Sequence, residues 1–171
     1  MKKLILFLLS WLAITPMAFP LAACLELEPA LKDADLVARV KIVSVANAPA
    51  DSGFRQLARA MITDSAKGPK AGESIELLSD NGFICPNVNY AVGDDCIVFA
   101  KRRKSGHFQT MNTSAGQFRL DKGATECYLF EDLDPDFYKG TADQIRARMH
   151  RKYQAEEIMA TLRRVLSSLA K

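Results

Sequence analysis

Histidine is scarce in this chain. Only His107 and His150 occur among 171 residues, and neither has a second ligand at metal spacing. That argues against a zinc ion held by the protein itself, and no cofactor is expected. An excess of one charge is also lacking, with 23 basic residues against 20 acidic ones. Without Lys2 and Lys3 of the leader described below, 21 basic residues face 20 acidic ones, a net of +1. A chain so nearly neutral gives no reason to expect a nucleic-acid partner. Catalytic constellations are missing as well. Ser114 lies in Thr113-Ser114-Ala115-Gly116, which reads as turn chemistry and lacks the nucleophile-elbow pattern. Asp94 and Asp95 flank an apolar run as turn residues, and no carboxylate pair stands out for acid–base work. The acidic stretch 131–136 has no EF-hand spacing. Apolar content is 49 %, which excludes the composition of a disordered chain.

The longest apolar run, Leu4 to Ile14, is broken by Ser10 and followed by Pro16 and Pro20. It is shorter than the ~20 residues a membrane-spanning helix needs. With Lys2 and Lys3 ahead of it and small residues behind, it reads as a signal peptide over residues 1–23. The chain is therefore expected to be exported, to the periplasm or the extracellular space. The junction Leu21-Ala22-Ala23-Cys24 allows two outcomes. It fits a bacterial lipobox, in which Cys24 carries the lipid and anchors the protein to the envelope. It also fits ordinary cleavage after Ala23. Membrane attachment is expected only in the first case.

Removing residues 1–23 leaves 148 residues, enough for one domain with its own core. Four cysteines remain, Cys24, Cys85, Cys96 and Cys127. In an oxidising compartment four can pair completely. Bridges closing loops of this size stabilise by roughly 3–4 kcal/mol each. Cys96 alternatively stays a buried reduced thiol, because it opens the apolar run Cys96-Ile97-Val98-Phe99-Ala100.

Period-two alternation predicts strands over 36–45 and 56–64, and a third over 74–79. The run 96–100 is apolar throughout, which predicts a strand buried on both faces. Shorter strands are expected over 107–111, 117–121 and 128–130. Turns rich in Gly, Pro, Asn and Asp separate them. Short strands at this spacing predict a small closed or nearly closed antiparallel barrel, or a sandwich. After an acidic linker over 131–140 the period changes. Thr141 and Gln144 form a capping box, and Ile145, Met149, Tyr153, Ile158, Met159 and Leu162 recur at threes and fours. This predicts one amphipathic helix over 141–171, up to about 29 residues and roughly 43 Å long. Its apolar stripe is expected to pack on the barrel, with a partner groove or a membrane surface as alternatives. Lys101 to Lys104 form a basic loop, a solvated turn or a contact for an acidic partner.

Several short motifs follow one order. Ala34-Asp35 opens the first strand, Lys67-Gly68 follows the second, Cys85 lies after the third, and Gly93 precedes Ile97-Val98-Phe99-Ala100. In that order the chain resembles the netrin-like, OB-fold domain of the tissue inhibitor of metalloproteinases family, especially bacterial secreted relatives. The resemblance covers about Cys24 to Leu120 and does not reach the C-terminal helix. It implies a five- to six-stranded OB-like barrel over 24–130, with Cys24 bridged to Cys85 and Cys96 left to Cys127. It also implies that the α-amino group and carbonyl of an N-terminal Cys24 chelate the zinc of a target protease while Leu25 enters its specificity pocket. Two departures stand out. Glu26 occupies the place of the inhibitors' second cysteine, which favours Cys24 as a mere anchor. Cys96 replaces an aromatic residue. The expected function is an exported, non-enzymatic binding module, inhibitor-like towards a protein partner. The alternatives are an envelope lipoprotein with a structural or interaction role, and a hydrolase whose site the sequence does not betray.

Overall fold

The computed structural model describes residues 27–82, 88–111, 116–126, 136 and 139–171. The leader expected over 1–23, Cys24, Leu25, Cys85, Ser114, Cys127, the strand expected over 128–130 and most of the expected acidic linker lie outside the described residues.

The architecture is mainly β, as the alternation predicts. Strands β1 (Leu36–Asn47), β2 (Gln56–Lys67), β3 (Ser74–Ser79), β4 (Asp95–Arg102) and β5 (Phe108–Thr110) lie in the order β1-β2-β3-β5-β4. Pairing of β1 with β4 closes the sheet into a five-stranded, OB-like barrel. A sixth strand, β6 (Gln117–Arg119), extends the edge of β4. The barrel is mixed rather than antiparallel. β3 and β5 run parallel, Leu77 opposite Phe108, because β5 must turn back along β4 to fill the last gap. β1 can serve both neighbours because three register shifts bend it, at Val37/Ala38, Arg39/Val40 and Ile42/Ser44.

Two cores result. Leu36, Ala38, Val40 and Ile42 of β1 point into the barrel with Ala58, Ala60 and Ile62 of β2 and Cys96, Val98 and Ala100 of β4. The alanines of β2 are poor strand formers, but they fit an interior that β1 and β4 fill with larger side chains. The other face of β4, Ile97 and Phe99, joins Val37 in a second core outside the barrel. Helices α1 (Leu27–Asp33) and α3 (Ala155–Leu169) cover it. β4 is therefore apolar from Cys96 to Ala100 because both of its faces are buried there, as its composition predicts.

The single long helix predicted over 141–171 is corrected. The structure divides it into α2 (Ala142–Met149), a strand β8 (Lys152–Gln154) and α3. The capping box exists as expected, with Thr141 N donating to Gln144 Oε1 at 2.9 Å and Gln144 N to Thr141 Oγ1 at 3.4 Å. The break is made by β7 (Ala124–Glu126), which pairs with β8 so that Thr125 lies opposite Tyr153. Tyr153 is thereby buried in the outer core, and Ala155, two residues on, donates its N–H to Gly123 O at 2.9 Å. After the break α3 is about 22 Å long at 1.5 Å per residue, a length that a small barrel can cover. It lays Ile158, Met159 and Leu162 on the outer core. Arg39 clamps it there. The guanidinium holds Asp95 of β4 by two bonds of 3.0 and 2.8 Å and Glu156 of α3 by one of 2.8 Å.

Ala34-Asp35 and Lys67-Gly68 meet in space. A Cβ on Gly68 would stand 2.8 Å from Asp35 O, and Gly68 has φ +96°, so the site requires glycine. Lys67 Nζ donates to Leu31 O at 2.8 Å, which ties α1 to β2. Asp35 Oδ2 accepts the N–H of Arg102 at 2.8 Å.

Candidate binding cleft on the barrel face

The β1–β2 connection is shaped by a 3₁₀ turn over Ala50–Ser52, after which Gly53 takes φ +75°. Phe54 N donates to Ser52 Oγ at 3.1 Å, which fixes the Phe54 backbone. The β4–β5 connection is a tight turn. Arg103 N donates to His107 O at 2.8 Å and Gly106 N to Arg103 O at 3.0 Å, with Gly106 at φ +90°. Together these two loops place basic side chains beside rings. The Arg102 guanidinium lies over Phe108, 4.7 Å from its centroid, and that of Arg103 over Phe54 at 5.6 Å.

Two cavities flank the turn. One of about 660 Å³ opens between the loops, lined by Asp51, Ser52, Leu78, Arg103, Lys104 and Ser105. The other, about 680 Å³, lies on the outer face of β2 and β3, where Arg59, Glu73, Glu76 and Phe108 line it. Arg102 and His107 border both. Lys101 is spent on an ion pair with Asp33. Among the described residues no carboxylate stands within ion-pair distance of Arg102, Arg103 or Lys104.

His107 links the turn to β3. Its Nδ1 lies 3.1 Å from Ser105 Oγ and its Nε2 3.2 Å from Glu76 Oε2. Hydroxyl, imidazole and carboxylate thus form a string. The first link joins residues two apart in the turn, a local contact of a kind that turns favour. The second is a half-exposed pair worth about 0–1 kcal/mol. The string pins the turn against β3.

Among the sequence candidates, Cys96 is described; Cys127, the bridge partner that the resemblance implies for it, lies outside the described residues. Cys96 is a free thiol, fully buried inside the barrel. Alternation along β4 sends its side chain inward beside Val98 and Ala100, and Gln117 Nε2 reaches its sulfur at 3.4 Å. Burial pushes the thiol up to about 11 from an ordinary 9.0. A thiol so seldom ionised is a packing group. Near it, Tyr90 Oη and Thr110 Oγ1 share a hydrogen bond of 2.7 Å, and burial raises the phenol well above its usual range. Asp94 is a turn residue, with Oδ2 accepting the N–H of Ala91 at 2.8 Å. His150 is exposed, 3.6 Å from Glu126. The described residues contain no cluster of three groups able to hold a metal ion, and no described helix is long and apolar enough to cross a membrane.

The sequence pointed to Lys101–Lys104 but not to Phe54, Arg59, Glu76 or Phe108. Only the barrel brings these together, across four strands and two loops. The cleft can present cationic donors to an anionic group. No protein-family model and no curated protein matches this chain.

Proposed function

We propose that the chain is an exported, non-enzymatic binding module that engages a protein partner, akin to the netrin-like inhibitor domains it resembles. One observation carries the reading. The barrel interior is occupied by the chain's own side chains, from Leu36 to Phe108, so recognition is left to the outside. There the two loops that OB-folds use for ligands border an open cleft whose cations have no acid partner among the described residues. In the inhibitor form of this reading Cys24 and Leu25 supply the contact edge. A free α-amino group and carbonyl on Cys24 would fill open positions on a protease's zinc.

The test begins with the mature chain, recovered from its native compartment. N-terminal mass spectrometry reads the state of Cys24, and titration against a panel of zinc proteases reads inhibition. An unmodified Cys24 with stoichiometric inhibition supports the inhibitor form. Turnover of ester or peptide substrates by the purified chain overturns the binding reading in favour of a hydrolase.

A second reading, a lipid-anchored envelope protein, is favoured by Leu21-Ala22-Ala23-Cys24 together with the free thiol of Cys96. With Cys96 withdrawn from pairing, three cysteines remain. A lipid on Cys24 leaves Cys85 and Cys127 to bridge each other, with no odd exposed thiol. Non-reducing peptide mapping with a diacylglycerol mass on Cys24 and a Cys85–Cys127 link supports it. A Cys24–Cys85 link rejects it.

A further inference from the structure

We infer that the cleft between the β1–β2 and β4–β5 loops binds an extended acidic peptide segment of a protein partner, with Arg102, Arg103 and Lys104 receiving its carboxylates. The inference rests on the binding-module reading and names the chemistry of the partner. Three consecutive exposed cations stand at the cleft without an acid partner among the described residues, while the adjacent Lys101 has one in Asp33. Asp51 is the carboxylate lining this cavity, so positive charge prevails. Two of the cations are held in place. A guanidinium over a ring keeps its five N–H donors in its own plane, so stacking on Phe108 and Phe54 occupies a face and leaves the donors available. Such a planar fork matches a carboxylate by two parallel bonds, and a guanidinium held against a ring has less freedom to lose on binding.

The same stacking argues against single-stranded nucleic acid. Bases need open aromatic faces, and here the rings carry arginines; Phe108 is itself buried. The basic patch is also local. Across β2 and β3 it meets Glu73 and Glu76 in the neighbouring cavity, which would repel a continuing phosphate backbone. A peptide with a few carboxylates fits a short cationic cleft bordered by acids.

The test uses the full mature chain and a fluorescein-labelled hexaglutamate peptide. Hexaglutamine, oligothymidylate and inorganic phosphate are the comparison probes. Fluorescence anisotropy is expected to give saturable binding that weakens as salt rises. The backbone amides of residues 51–54 and 102–108 should shift in NMR spectra. The double variant Arg102→Gln, Arg103→Gln should weaken binding at least tenfold, while Arg146→Gln on α2 leaves it unchanged. If the double variant fails to fold, Lys104→Gln on the exposed turn should still weaken binding at least threefold. Lack of saturable binding, equal binding to the intact and cleft variants, or equal or tighter binding of oligothymidylate overturns the inference. So does displacement of the peptide by inorganic phosphate at equal charge, which would mark a phosphate site. Protease inhibition without glutamate binding sinks this inference and leaves the binding-module reading standing. Substrate turnover sinks that reading instead.

Discussion

At the scale of single residues, Cys96 and Arg39 make opposite kinds of contribution. Cys96 acts by being small, apolar and sealed inside the barrel. Native protein should leave it unreactive towards a thiol reagent such as DTNB, and denatured protein should expose it; prompt labelling of the folded chain would contradict its burial. Its folded pKa lies above its unfolded one, so its contribution to stability is intact below about 9 and is lost as pH rises towards about 11. The difference in unfolding free energy between wild type and Cys96→Ala should therefore shrink across that window, measured by urea titration at each pH. Arg39 acts through charge. Asp95 and Glu156 together raise its pKa, the hydrogen bond that Arg39 donates to Asp95 most of all. It is half-buried, so Arg39→Met should cost about 2 kcal/mol, the scale of hydrogen bonds to charged groups. A double-mutant cycle with Asp95→Asn should show coupling, since both variants break one contact.

At the scale of elements, the break between α2 and α3 decides how the C-terminal third packs. Tyr153→Ala should destabilise by about 3 kcal/mol or more, because it empties a fully buried aromatic site. Chemical unfolding checks the magnitude, and a loss under 1 kcal/mol would mean that β8 is not what seats α3. The strands β1 to β4 were legible, because alternation over six to twelve residues reports burial on one face or two. The break was legible too, but easily missed. Ile145, Met149 and Tyr153 recur by fours, each step advancing about 40° around a helix, and Ile158 follows after five, a jump of about 140°. α1 left too short a signal. Its Leu27, Ala30 and Leu31 have helical spacing, but seven residues hold a helix only when a core receives them. The three-residue strands β7 and β8 depend on each other, and neither reads as a strand alone. In the candidate cleft the basic run was visible, whereas the rings beneath it were not. Phe54 and Phe108 are 54 residues apart in sequence and meet the run only through strand closure.

At the scale of the whole molecule, the outer core makes barrel and C-terminal helix one folding unit. A chain ending at Gln154 would strip Ile158, Met159 and Leu162 from the outer core and uncover Val37, Ile97 and Phe99 on that side. It should bind a hydrophobic dye such as ANS and lose a cooperative thermal transition; a truncated chain that melts sharply without dye binding would show the barrel to be independent. By itself the sequence determined which residues alternate, where turns fall and that β4 is covered on both sides, since these depend on neighbours along the chain. The tertiary structure alone decided that β1 meets β4, that β3 and β5 run parallel, that Cys96 faces inward and free, and that arginines lie over distant rings. Those outcomes depend on closing a bent sheet into a barrel, and closure is a constraint that no local stretch of sequence carries.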